Sequence, residues 1–593
     1  MFDHFKEPWF QPEFSAVASK VMPLEEAVKQ YIKPGMLLHM AMPGTRWPTA
    51  ILYEIARQFW GKELTMQLSA VTVNLPAAVL IHGRIVSKII CTYVGDPYYA
   101  PSPNLVVQRA IQRGHLDIEC WSVLTLPLRL QAAAMGLPFF PTNSIMGSSM
   151  EEENRDSFLT IDDPFGTQEK VGLVKALAPD VTLLHGWMAD EEGNVVFLPP
   201  YTEQFYGAMA SREGVVLTVE KIVSSETIRK HNHLVRLPGL YVKSVSEVPF
   251  GAHPAGLSRI GMRDMDLYSE DYDFVEEGHQ AAKTDESFDK WVHEWVLSAD
   301  TRDKYLEKLG HNRLMRLKGM SHFDMWRFDI KTMKQVSRSL SYTNVEMAVI
   351  ALSRKLADAV IKNEYKTMLV GAGMANLAGW LCFYYLRKQG YEINLMAEIG
   401  LFGYVPQPLD PSIFNYRNFP NCKMVADTQT ILGVLMGGSN SSCIGALGAA
   451  EIDRAGNINS TRSDDGSFVV GSGGANDVAS SAKEVMIVIG HSRKRLKNQL
   501  AYVTAPGGKV KTLVTTLGIF EKPDDEEFVL SSVLPRAKEA DIRDTVNEIQ
   551  QHCGWIIKEA SEVICQKPPE QLELELVRSF DPNRYYLGKG PEG

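Results

Sequence analysis

The chain has 593 residues, about four times the roughly 150 that one hydrophobic core usually serves, so two to four domains are expected. With 45% hydrophobic, 22% charged and 9% aromatic residues it can bury ordinary cores, which excludes wholesale disorder, collagen-like repeats and a multi-span membrane protein. The formal net charge of −10 is mild, and the longest basic run, Arg493 to Arg495, reads as a solvated face, so nucleic acid is not an expected partner.

Seven cysteines, an odd number with no CxxC pair, argue against a disulfide framework or a zinc knuckle and fit a reducing compartment. The opening stretch from Met1 to Pro8 has no basic-then-apolar signal pattern, and a cytoplasmic address is expected. Along the first half, Met36 to Gly44 reads as a strand and turn leading into a helix over Thr49 to Phe59. Gly147-Ser-Ser-Met lacks the strand-to-helix elbow of a serine nucleophile. Asp180 to Val196 reads as an apolar strand, a turn and a second strand, with Asp190, Gly193 and Asn194 supplying turn chemistry. Val215 to Val219 is a further strand, while His231 and His233 alternate in a charged stretch with no third ligand nearby, so no metal is expected. From about 282 to 338 the composition changes to many charges with Trp291, Trp295 and Trp326, which predicts a packed helical connector.

The second half echoes the first. Thr367 to Leu386 carries no charge over the length of a membrane helix, yet Gly371 and Gly373 divide it into a strand from Met368 to Val370 and a packed helix from Met374. Those two glycines lack the third glycine of a dinucleotide fingerprint. Glu398 ends an apolar segment and is followed by Gly400 and Gly403, placing one carboxylate at a strand end against a tight loop. There it is either a desolvated nucleophile or an ordinary junction residue. Cys443 has no histidine beside it and reads as structural. Asp453, Gly456 and Asn457 repeat the first-half turn. Gly471, Gly473 and Gly474 form a cluster between a strand and a helix from Val478, either a plain turn or a loop aiming amides at an anion or oxyanion. Lys511 to Thr515 is another strand, and the polar tail after about 566 is expected to be loose. The pattern predicts an α/β fold: two similar open domains with mostly parallel sheets, at 1–281 and 339–593, joined by a helical connector at 282–338.

Taken together these residues resemble the family I coenzyme A transferases, in particular the glutaconate type with α-like and β-like halves fused in one chain. Leu128 to Pro141, Asp180 to Asn194, Leu237 to Val242 and Glu247 to Pro254 look like the α-type half. Glu398 to Gly400, Asp453 to Asn457, Gly471 to Asp477, His491 to Arg493, Val503 to Gly507 and Leu513 to Phe520 look like the β-type half. The resemblance implies ping-pong transfer of CoA between carboxylic acids through a glutamyl-CoA thioester on Glu398. Gly400, Gly403, Gly471, Gly473 and Gly474 are the implied oxyanion and CoA-facing positions. It implies an acyl-CoA and a carboxylate as small-molecule partners, CoA thioester as substrate without a permanently bound cofactor, and a possible homodimer. Two other readings stay open: hydrolysis, decarboxylation or carbon–carbon cleavage of a CoA-linked acid on the same scaffold, and a non-catalytic acyl-CoA-binding scaffold.

Overall fold

The computed structural model describes residues 3–10, 18–42, 46–95, 102–166, 169–257, 262, 265, 267–322, 325–332, 336–523, 527–536 and 541–590. In the first half, Leu37–Met40 pairs in parallel with Met66–Val73 on one side and Val181–Ala189 on the other. Val86–Val94 and Asp117–Cys120 extend the parallel sheet past the former, Gly214–Ile222 and Val242–Glu247 past the latter. The second half repeats the central part of this order: Thr367–Val370 lies between Asn394–Ala397 and Cys443–Gly448, followed by Glu484–Ile489 and Val510–Thr515, all parallel, whereas its edges continue with antiparallel strands, Leu401–Phe402 beside Asn394–Ala397 and Gly518–Glu521 beside Val510–Thr515. Parallel neighbours need a crossover, supplied by the helices Thr49–Phe59 and Met374–Lys388 that the sequence pattern predicts. The uncharged stretch is thus a strand and a helix within a core. Among the described residues no helix is long and apolar enough to cross a membrane.

The duplication extends to single hydrogen bonds. Asp190 Oδ1 accepts the Asn194 N–H at 2.9 Å, and Asn194 Oδ1 accepts the Gly239 N–H at 2.9 Å. In the second half Asp453 Oδ1 accepts the Asn457 N–H at 3.0 Å, and Asn457 Oδ1 accepts the Gly507 N–H at 2.9 Å. The hairpins then diverge. Val195–Val196 stays in the main sheet, whereas Glu451–Asp453 and Ile458–Asn459 leave it to form a small sheet with Leu496–Lys497.

In chain order the strands of the two sheets are separated by the helices Tyr272–Ala281, Asp285–Val292, Arg302–Leu309, His311–Met320 and Met325–Thr332. Trp291 and Trp295 are buried there, with ring centroids 5.4 and 4.9 Å from that of Phe274. One apolar core runs unbroken from the first half to one face of the second sheet, through Ile431, Leu432, Ile487 and Leu513. A second core covers the opposite face.

The expected loose tail is instead part of that second core. Gln571–Phe580 is a helix that buries Leu574, Val577 and Phe580. Its polarity misleads because the charges are consumed in pairs: Glu573 takes Arg354 at 2.6 Å, and the fully buried Glu346 takes Arg578 at 2.8 Å and Arg584 at 2.9 Å. Residues 591–593 of the tail, and Pro43 and Gly44 of the first strand–turn unit, lie outside the described residues. Replacing Arg578 with Ala leaves Glu346 buried with Arg584 alone. Chemical unfolding is expected to show a loss of about 3 kcal/mol, the low end for breaking a buried pair.

Candidate active site

Glu398 follows the strand Asn394–Ala397 directly, so its carboxyl stands at the carboxyl end of a parallel sheet, where open α/β folds place their ligands. The chain then folds back into Leu401–Phe402, antiparallel to the strand it left. That turn uses the amides of the two neighbouring glycines: the Gly400 N–H donates to the Ala397 carbonyl at 3.1 Å and the Gly403 N–H to the Leu395 carbonyl at 2.7 Å. Gly400 and Gly403 therefore shape the turn under Glu398, and their amides are not available to an oxyanion.

The carboxyl faces the glycine loop. A Cβ on Gly474 would lie 1.9 Å from Glu398 Oε2, so any side chain there would force the Glu398 carboxyl out of its present place. Burial pushes the Glu398 carboxyl up to about 7, and the charge of Asp477 adds to the shift.

Asp477 also stitches the halves together. It is fully buried, accepting the Ser122 hydroxyl at 2.6 Å and the Leu124 N–H at 3.1 Å, both from the first half. Burial pushes its carboxyl up to about 6 against these hydrogen bonds. Next to it, Asn476 Oδ1 accepts the Ile145 N–H at 2.7 Å. The loop backbone joins the edge of the first half: the Val94 N–H donates to the Val470 carbonyl at 2.8 Å, the Gly473 N–H to the Thr92 carbonyl at 2.9 Å, and the Val123 N–H to the Gly473 carbonyl at 3.1 Å. Gly471 allows this approach, since its φ is +101° and a Cβ there would lie 2.5 Å from the Thr92 carbonyl oxygen. A second seam forms where the Tyr201 N–H donates to the Ala426 carbonyl at 2.9 Å and the Thr428 N–H to the Tyr201 carbonyl at 3.2 Å.

Between the seams lies a cavity of about 570 Å³. It takes Glu398, Gly471, Gly473 and Gly474 from the predicted set, but neither Gly400 nor Gly403. The Gly371–Gly373 turn, too short for a dinucleotide fingerprint, also lines it. Tyr93 and Thr202 from the first half, and Thr428 and Tyr586 from the second, add to the polar wall; no local motif marks these four. Cys443 sits inside a buried strand where burial pushes its thiol up to about 12, consistent with a structural role. Among the described residues no cluster of His, Cys, Asp and Glu could hold a metal ion.

The coenzyme A transferase family model matches residues 21–248 and 427–536, more than half of the chain. The chain belongs to the coenzyme A transferase family. It is 32% identical to one polypeptide of the glutaconate CoA-transferase from Acidaminococcus fermentans, over 52% of this chain and 99% of that polypeptide. It is 28% identical to one polypeptide of the 3-oxoadipate CoA-transferase from Pseudomonas knackmussii, over 41% of this chain and 94% of that one. An acyl-CoA transferase from Escherichia coli O157:H7, solved as a thioester complex with CoA, superposes with a TM-score of 0.62 over 96% of this chain and 97% of its own, at 17% identity, which shows the shared fold. Glu398 lies between the two stretches that the family model matches. In this CoA-transferase, Gly474→Ala puts a methyl where the Glu398 carboxyl now sits. The expected outcome is a fall in kcat/KM of about 100-fold with the melting temperature retained, measured by steady-state CoA transfer beside thermal unfolding.

Proposed function

We propose that this CoA-transferase moves CoA between carboxylic acids through a covalent glutamyl thioester on Glu398. A Glu398 carboxylate oxygen attacks the thioester carbonyl of the donor, the C–S bond breaks, and CoA leaves as thiolate, giving a mixed anhydride. The thiolate then attacks the glutamyl carbonyl, releasing the donor acid as carboxylate and leaving glutamyl-CoA. An incoming carboxylate reverses both steps. No electrons leave the system, so the CoA thioester serves as substrate and the reaction needs no resident redox group.

The observation that carries this reading is a carboxyl raised by burial to about 7, enclosed in a cavity against a loop of glycines. A carboxylate that water solvates poorly is a better nucleophile, and at neutral pH about half of such a group is ionised. Of the loop amides, Gly471 donates to the Ser460 carbonyl at 3.3 Å and Gly473 to the Thr92 carbonyl at 2.9 Å, whereas Gly474 has no acceptor among the described residues. Gly474 is thus a loop amide left open for the tetrahedral oxyanion. Arg493, Lys494 and Arg495 form an exposed turn, and Arg495 lines the cavity, placing positive charge where the CoA phosphates would enter. In this reading residues 1–281 form the α-like unit, 282–338 the connector, and 339–593 the β-like unit that carries the nucleophile.

The test is peptide mass spectrometry after incubation with acyl-CoAs, with and without borohydride, on wild type and Glu398→Gln. Reduction is expected to mark the Glu398 peptide in wild type only when a thioester donor is present. Steady release of CoA with no mark would replace transfer by hydrolysis or lyase chemistry, and neither mark nor release would leave a binding scaffold.

A further inference from the structure

Phe139–Thr142, Phe158–Asp162 and Lys170–Lys175 form a small antiparallel sheet apart from both main sheets, with Lys170–Lys175 in the middle. Successive side chains on a strand point to opposite faces, and residues opposite each other in register share a face, so the register sorts this sheet into two sides. One side carries Phe140, Phe158 and Val174; Phe158 and Val174 are buried, and this side packs on the helix Thr125–Ala134. The other side carries Phe139, Pro141, Leu159, Ile161, Val171 and Leu173. An antiparallel sheet with one face on a core ordinarily turns a polar face to water, and this one turns an apolar face.

Phe139 is 46% exposed, Leu159 62% and Ile161 38%, and Phe165, in the turn beyond Asp162, is 89% exposed. At about 200 Å² for a large side chain, the face and its turn offer roughly 600 Å² of apolar surface. That lies at the top of what a monomer leaves bare and near the ~800 Å² that each partner brings to a standard interface. Charge stands only at the two ends of the middle strand on this side. Lys175 lies opposite Phe139 at one end, and Glu169 precedes Lys170 at the other; both are exposed, and neither has an ion-pair partner among the described residues.

We propose that a second copy of the chain docks on this face, the two small sheets stacking face to face about a two-fold axis that runs across the strands. Such an axis reverses the strands of one copy over those of the other, so Lys175 of each copy stands over Glu169 of its mate. An axis along the strands would instead set Lys175 over Lys175, which like-charge repulsion opposes. None of these residues lines the cavity, so the inference goes beyond the transfer reading and does not depend on it. The resemblance to the family implies a homodimer without naming a face, and this sheet names one. Between Thr142 and Phe158 the chain passes through the helix Ser149–Glu153, where the Ser149 N–H donates to the Val503 carbonyl at 2.8 Å and Glu153 takes Arg462 at 2.7 Å, both across the halves. Docking here therefore braces the same segment that grips the second half.

The experiment is light scattering on the gel-filtered full chain at micromolar concentration, in wild type, Leu159→Glu, Lys175→Glu, Glu169→Lys and the double charge reversal, with thermal unfolding as the folding control. Wild type is expected at twice the 66.2 kDa of one chain or at an even multiple of it. Leu159→Glu should halve that mass and raise the dissociation constant about 100-fold, because it sets a charge in the middle of the apolar face, while the exposed position leaves the fold intact. Each single charge reversal should weaken association about tenfold, and the double reversal should restore it. A monomeric wild type, which leaves the face to a different protein, overturns the proposal, as does an oligomer whose mass Leu159→Glu leaves unchanged. Single reversals that the double does not rescue overturn the axis across the strands.

Discussion

Everything at this site depends on how the second half is sewn to the first by the loop from Val470 to Asp477. That loop spends most of its hydrogen-bonding capacity across the seam: Val470 and Gly473 pair with the edge at Thr92, Val94 and Val123, and Asn476 and Asp477 take N–H and O–H donors from Ser122, Leu124 and Ile145. A buried polar group must be paired, and here each pair joins residues more than 300 positions apart. The cavity exists because both sheets turn their carboxyl ends toward this seam, and it disappears if the halves separate.

The same loop sets the chemistry of Glu398. Gly474 leaves room for its carboxyl, while Asp477, a short way along, adds negative charge to the effect of burial. The two halves share the order of their central parallel strands and the same Asp–Asn–Gly bonding in their turns, yet they divide the work. One half contributes Glu398 and its glycine loop; the other contributes the Ser122–Leu124 anchor and much of the opposing wall. A duplicated scaffold can become one site in this way, because a single cleft needs one nucleophile and a complementary face.

The parts legible in the sequence are local ones. The helix Thr49–Phe59, the strand and helix around Gly371 and the paired turns at Asp190 and Asp453 are written in periodicity and turn residues within a few positions. Glu398 and the glycine cluster stand out for the same reason. What a glycine does is not legible: Gly400 and Gly403 resemble Gly474 in sequence, and only the hydrogen bonds show that their amides are consumed in the turn. The pairing of Asp477 with Ser122 spans 355 positions and leaves no local signal. The tail misleads because Glu573, Arg578 and Arg584 look solvated until their partners Arg354 and the buried Glu346 are seen, and Tyr586 is hidden with it.

The most direct test of this account is the pH dependence of single-turnover Glu398 thioester formation, in wild type and in Asp477→Asn. In the proposed transfer the Glu398 carboxylate is the attacking form, and burial raises the pH at which it forms. The rate is therefore expected to climb with rising pH to a midpoint near 7 in wild type. Removing the neighbouring charge should move that midpoint down by about half a unit to one unit. A wild-type midpoint at the ordinary carboxylate range, unmoved by Asp477→Asn, would contradict the claim that the seam between the halves tunes the nucleophile.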